Sequence, residues 1–108
     1  MKPSAIYVAG SYTAPTREET LQNVSTALAA GAVLAKAGHF VIVPHAAMPP
    51  HFTWERAMEL CRLLLHACHS VVLLPGWELS RGACQERAWA EEAGIPVVLL
   101  NELLESTT

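Results

Sequence analysis

The chain has 108 residues, 52% of them hydrophobic and only 16% charged, which bounds it to one folded domain and excludes intrinsic disorder. Seven Lys and Arg stand against ten acidic residues, a formal charge of −3, so no basic surface is available to grip a nucleic acid polymer. All ten acidic residues are Glu, so an aspartic dyad, an Asp-based calcium loop and a Ser-His-Asp triad are excluded, and any carboxylate chemistry falls to Glu.

The predicted elements alternate in type. Ala5–Ala9 reads as a strand stopped by Gly10. Thr16 and Glu19 have the spacing of a capping box. Leu21, Val24, Leu28, Ala32 and Ala35 then recur at helical spacing, and Gly38 closes the helix. Phe40–Val43 is a second strand, ended by Pro44. Three prolines and two histidines make 44–52 a loop. Thr53 can cap a helix reaching about Ala67, with Trp54, Met58, Cys61, Leu64, Leu65 and Cys68 on its apolar side. Ser70–Leu74 is a third strand and Pro75–Leu79 a loop. Ser80 is an N-cap for a helix reaching Ala93, which Gly94 ends. Pro96–Leu100 is a fourth strand, followed by a short polar helix or tail.

Short, continuously apolar strands separated by helices predict a parallel sheet covered on both faces. The expected fold is a single α/β domain, Rossmann-like in the flavodoxin-like manner. Its four to five strands run in the order 2-1-3-4 with helices on both faces. In that order the topological switch lies between the first and third strands, and ligands bind at their carboxyl ends. Two segments fall there: Gly10 to Thr16, and Pro75 to Gly82. The first offers Gly10, Ser11 and Thr13 before a helix N-terminus, a place suited to anions. It carries neither GxGxxG nor a P-loop. In the second, Ser80 can cap or bind phosphate, Gly82 admits close backbone approach, and Arg81 supplies a cation. Glu86 lies on the second turn of the same helix. By position it is either an ionised nucleophile favoured by the helix dipole, or a group that only balances that dipole or pairs with Arg81 or Arg87.

Three cysteines without paired spacing do not form a disulfide framework. No leader-like run and no apolar stretch of membrane-spanning length is evident, so a reduced, cytoplasmic setting is expected, with no membrane partner. Cys61, His66, Cys68 and His69 lack the CxxC and HExxH patterns, so no metal and no other cofactor is expected. Cys61 and Cys68 read as small core residues, and Cys84, near a helix N-terminus, as a secondary candidate nucleophile. His45 sits beside the expected crevice, and Trp77 can stack on a base there or cover the core under its loop. Trp54 and Trp89 read as packing or subunit contacts. The small size, three Trp and a mean hydropathy of +0.28 predict a homodimer or higher homo-oligomer.

Three segments carry a resemblance: Ile6-Tyr7-Val8-Ala9-Gly10-Ser11-Tyr12, Val43-Pro44-His45, and Leu73 through Ala83 followed by Glu86. Together they resemble the nucleoside 2-deoxyribosyltransferase superfamily over nearly the whole chain. The small phage-type branch is the nearest, and relatives include 2′-deoxynucleoside 5′-phosphate N-hydrolase. The resemblance implies a small-molecule nucleoside or nucleotide substrate. It implies that Glu86 attacks the anomeric carbon with Tyr7 orienting it, and that Ser80 and Gly82 hold the 5′ end. The sequence departs from the family at two points: Cys61 and His69 stand where relatives carry Asp. A thiol donates hydrogen bonds weakly, so the proton for the leaving base would fall to His45, Glu59, Glu78 or a neighbouring subunit. The departure also leaves open a non-catalytic nucleotide-binding module. A phosphoribohydrolase would want a Gly-Gly-x-Gly-Thr loop in place of Pro75-Gly76-Trp77-Glu78.

Overall fold

A computed structural model describes residues 4–106. Strand β1 (Ala5–Ala9) leads into helix α1 (Arg17–Lys36), strand β2 (Phe40–Ile42) and a single helical turn, α2 (Pro44–Ala47). Helix α3 (Trp54–His66), strand β3 (Ser70–Leu73), a 3₁₀ turn at Trp77–Leu79 and helix α4 (Arg81–Glu92) follow. Strand β4 (Val97–Leu99) runs directly into helix α5 (Leu100–Ser106). The sheet has the predicted order β2-β1-β3-β4 with every pairing parallel. Among the described residues no helix is long and apolar enough to cross a membrane.

The two-residue period of the central strands sorts the core into two layers. Ile6 and Val8 of β1, with Val72 and Leu74, pack against Ala27, Ala30 and Leu34 of α1 and against Leu100 and Leu103 of α5. Tyr7 and Ala9, with Val71 and Leu73, face the opposite way, onto Cys61 and Leu65 of α3 and Ala90 of α4. The same alternation thus buries Tyr7 on the α3–α4 side. The outer strands are only half covered: Phe40 in β2 is 67% exposed, so the expectation of burial on both faces holds for β1 and β3 alone.

The helix limits follow local chemistry. Thr16, Thr53 and Ser80 each accept a bond from a backbone N–H three residues on, at 3.1 Å. Gly38 and Gly94 follow the last helical residues in the left-handed conformation that ends a helix. Two sequence expectations need correction. Residues 44–47 form a helical turn rather than loop, begun by Pro44, whose missing N–H costs nothing at a first helical position. The buried face of α1 is Ala27, Ala30, Gly31 and Leu34, not the line through Leu21 and Leu28, which are 54% and 47% exposed. Close approach shapes that face: a Cβ on Gly31 would stand 2.8 Å from Val43 Cγ2, so at that point α1 leaves no room for a side chain.

Gly10 ends β1 under the same constraint, since a Cβ there would meet Leu74 Cδ1 at 2.6 Å and Leu74 Cβ at 3.0 Å. Gly10→Ala should therefore destabilise the domain by about 1–3 kcal/mol through overpacking, read as a lowered midpoint in urea unfolding.

Candidate active site

The carboxyl ends of β1 and β3 open into a cavity of about 440 Å³, a size suited to a small ligand. The switch-point loops meet across it. Gly10, Ser11 and Thr13 line one side, and Ser80, Arg81 and Gly82 the other, with His45 and Glu86 also in the lining.

The first loop is held from several directions. Asn23 Nδ2 donates to the Tyr12 carbonyl at 3.1 Å, and the Ala14 N–H donates to Thr20 Oγ1 at 3.1 Å. His45 Nε2 lies 3.2 Å from the Gly10 carbonyl, and since a carbonyl only accepts, that nitrogen carries the hydrogen. His45 is 6% exposed, its Nδ1 has no partner, and burial pulls its pKa down, so the ring is neutral near pH 7. Its ring meets Tyr12 edge-on, with centroids 5.9 Å apart.

Glu86 occupies the inner end of the cavity, 5% exposed, and accepts a hydrogen bond at Oε2 from the buried Tyr7 hydroxyl. Burial pushes the carboxyl up to about 7, against the opposing pull of hydrogen bonds from Tyr7 and Cys61. This corrects the expectation that the helix dipole keeps Glu86 ionised. Glu86 is the sixth residue of α4, beyond the first turn where the dipole is felt, and desolvation outweighs it. Tyr7 is pushed upward too, chiefly by burial and then by the Glu86 charge, so it remains a donor. Burial likewise raises the Cys61 thiol to about 11. The ion pairs considered for Glu86 are not formed: Arg87 binds Glu91 at 3.1 Å, and the Arg81 guanidinium sits 3.9 Å from the Trp54 ring centroid.

Other sequence candidates fall elsewhere. Trp77 is absent from the lining; it packs against the α3–α4 core layer under Arg87, because the 3₁₀ turn after Gly76 carries it to that side. Cys84 is exposed outside the cavity, near the Trp77 and Glu78 carbonyls. His69 accepts from the Ala5 N–H at 3.0 Å, at the opposite end of the sheet from the cavity, so it cannot stand in for an acid there. Cys61 is both a core residue and a neighbour of Glu86.

One wall was missed from sequence. Met48, Pro49, Pro50, Phe52, Trp54 and Met58 form an apolar side of the cavity, so Trp54 is a lining residue as well as a packing one. The available signal was the pairing of a Pro-rich connection with a helix N-terminus directly after the second strand.

The parallel order β2-β1-β3-β4 with a cavity at the switch point defines a Rossmann-like α/β domain. Among solved structures, a 2-deoxyribosyltransferase from the psychrotolerant bacterium Bacillus psychrosaccharolyticus superposes with a TM-score of 0.64 at 21% identity, covering 88% of this chain and 70% of that one. Residues 4–99 match the family described as Domain of unknown function (DUF4406), and the chain belongs to that family. Comparison with curated proteins gives no match.

The Glu86 environment has a consequence for stability. Its folded-state pKa of about 7 lies above the ordinary 4.5, so the folded protein holds this proton more tightly than the unfolded chain does. The resulting stabilisation is complete below the lower value and is lost as pH rises through the upper one. At 1.36 kcal/mol per unit this amounts to about 3 kcal/mol. Urea unfolding at pH 5 and pH 8 should show wild-type stability falling, and Glu86→Gln should remove most of that fall.

Proposed function

We propose that this protein cleaves the N-glycosidic bond of a nucleoside or nucleotide, as a hydrolase or a deoxyribosyltransferase, with Glu86 as nucleophile. The observation that carries the reading is the buried Glu86 carboxylate, bonded to the Tyr7 hydroxyl within the switch-point cavity. With an apparent value of about 7, roughly half the carboxyl is ionised at neutral pH and able to attack. Tyr7 positions it by holding one oxygen, leaving the other for the anomeric carbon. As the C1′–O bond forms and the C1′–N bond breaks, the transition state is oxocarbenium-like, and a glycosyl ester results. Water, or a second base in a transferase, resolves it.

The substrate contacts follow from the lining. The free N–H groups at the start of α4, the Ser80 hydroxyl and the Arg81 guanidinium suit the 5′ end, charged or not. Gly10, Ser11, Thr13 and His45 border the other side. A relation to the phage-type branch and to 2′-deoxynucleoside 5′-phosphate N-hydrolase belongs to the same proposal, as does a reduced, cytoplasmic setting, supported by three free cysteines. The second reading, a nucleotide-binding module without activity, is favoured by Cys61, whose thiol is a weak donor beside the nucleophile.

Incubation with a panel of nucleosides and 5′-monophosphates, with chromatography for released base, separates the two. Glu86→Gln should lower base release by roughly 10³-fold or more while nucleotide affinity changes little, because a nucleophile acts on turnover. Binding without base release by the wild type would establish the second reading instead. The same proposal includes self-association, since Leu21, Leu28 and Val33 of α1 are all about half exposed or more and Leu63 of α3 is 73% exposed. Light scattering at micromolar concentration should give a mass of at least twice 11.7 kDa.

A further inference from the structure

A purine or pyrimidine that leaves C1′ as a neutral molecule must take up a proton as the bond breaks, and enzymes supply it from a positioned acid. Among the described residues lining the cavity, Glu86 is the one carboxyl group, and it must be ionised to attack. The other groups there are poor proton sources. The Cys61 thiol is a weak donor held protonated by burial. The neutral His45 ring has its one hydrogen on Nε2, directed at the Gly10 carbonyl. Arg81 keeps its protons and stacks on Trp54. The Ser and Thr hydroxyls donate hydrogen bonds without giving up the proton, and a phenol such as that of Tyr12 is by nature a far weaker acid than a carboxyl. Glu59 and Glu78, considered from sequence, lie outside the lining, and Glu59 pairs with Arg56 at 2.7 Å on the surface.

The walls have a complementary property. Tyr12, Phe52 and Trp54 line the cavity, and two of these rings already hold a guanidinium: Arg81 at 3.9 Å from Trp54 and Arg56 at 5.7 Å from Phe52. Those two faces are taken by the arginines, which leaves the Tyr12 ring and the Glu86 carboxylate to draw a cationic base.

We propose that the site is selective for N-glycosides whose base carries a fixed positive charge, such as N7-alkylated purine or pyridinium nucleosides. The inference rests on Glu86 acting as nucleophile and adds the class of leaving group. A Glu86 oxygen bonds to C1′ while the C1′–N electron pair passes to the ring nitrogen and cancels its charge. The base departs neutral with no proton transferred. Water then attacks C1′ of the ester, the carboxylate is regenerated, and the water's proton passes to solvent.

The test uses two matched pairs: 7-methyl-2′-deoxyguanosine with 2′-deoxyguanosine, and the corresponding ribonucleosides. Each kcat/KM is divided by the uncatalysed rate, so that intrinsic lability cancels. The expected enhancement is larger for the cationic member by roughly 100-fold or more, the usual contribution of a general acid. Cys61→Asp, which places a second carboxyl beside Glu86, should narrow that ratio by at least tenfold. Equal enhancement of both members by the wild type would overturn the selectivity, because an acid from elsewhere, a partner subunit included, would then be at work, and the glycosidase reading would stand. Unchanged release by Glu86→Gln, or no release from any of the four nucleosides, would overturn the nucleophile reading and this inference together. The wild-type comparison decides the question even where Cys61→Asp fails to fold.

Discussion

The structure is organised around a carboxylate buried against a phenol. Removing Glu86 from water is unfavourable unless its oxygens are satisfied, and the Tyr7 hydroxyl is the partner that β1 supplies. That pairing requires β1 to present Tyr7 toward α3 and α4, and α4 to start close enough to the sheet for its second turn to reach β1. Ser80 caps α4 at that point, through its bond to the Ala83 N–H. Donor and acceptor lie 79 residues apart in the chain, so the site forms only when the sheet and both helices are assembled.

The rest of the cavity is built by holding backbone where no regular element would hold it. Gly10 passes Leu74 without room for a side chain, His45 fixes the Gly10 carbonyl, and Asn23 and Thr20 of α1 fix the peptides of Tyr12 and Ala14. These side chains come from α1 and α2, so two helices contribute to one loop. Such a pre-set loop lowers the ordering cost of binding a small ligand.

The balance between burial and hydrogen bonding also sets the chemistry available. Desolvation places the Glu86 carboxyl near neutrality, while Tyr7 and Cys61 act in the opposite sense. A carboxyl in place of the Cys61 thiol would add a like charge, and two close carboxyls hold a proton between them. With a thiol there, Glu86 has no second carboxyl beside it, and the proposed class of leaving group rests on that one side chain.

The four strands, the three helix caps and the two switch-point loops were legible in the chain alone, because periodicity and capping are local rules, whereas the order 2-1-3-4 was one choice among the few topologies that right-handed crossovers leave. The sequence also marked Glu86, Tyr7, Ser80 and Gly82 through their spacing in a resemblance. Which face of α1 is buried came from the packing, since periodicity ignores the small size demanded where the helix nearly touches its neighbour at Gly31. Only the tertiary structure could turn Trp77 away from the cavity, bring Trp54 and Phe52 to its wall, and separate His69 from Cys61 at opposite ends of the fold. The protonation of Glu86 was decided there as well. Helix position is legible in sequence, but desolvation depends on what every other element packs around the carboxylate, and here that burial outweighs the dipole.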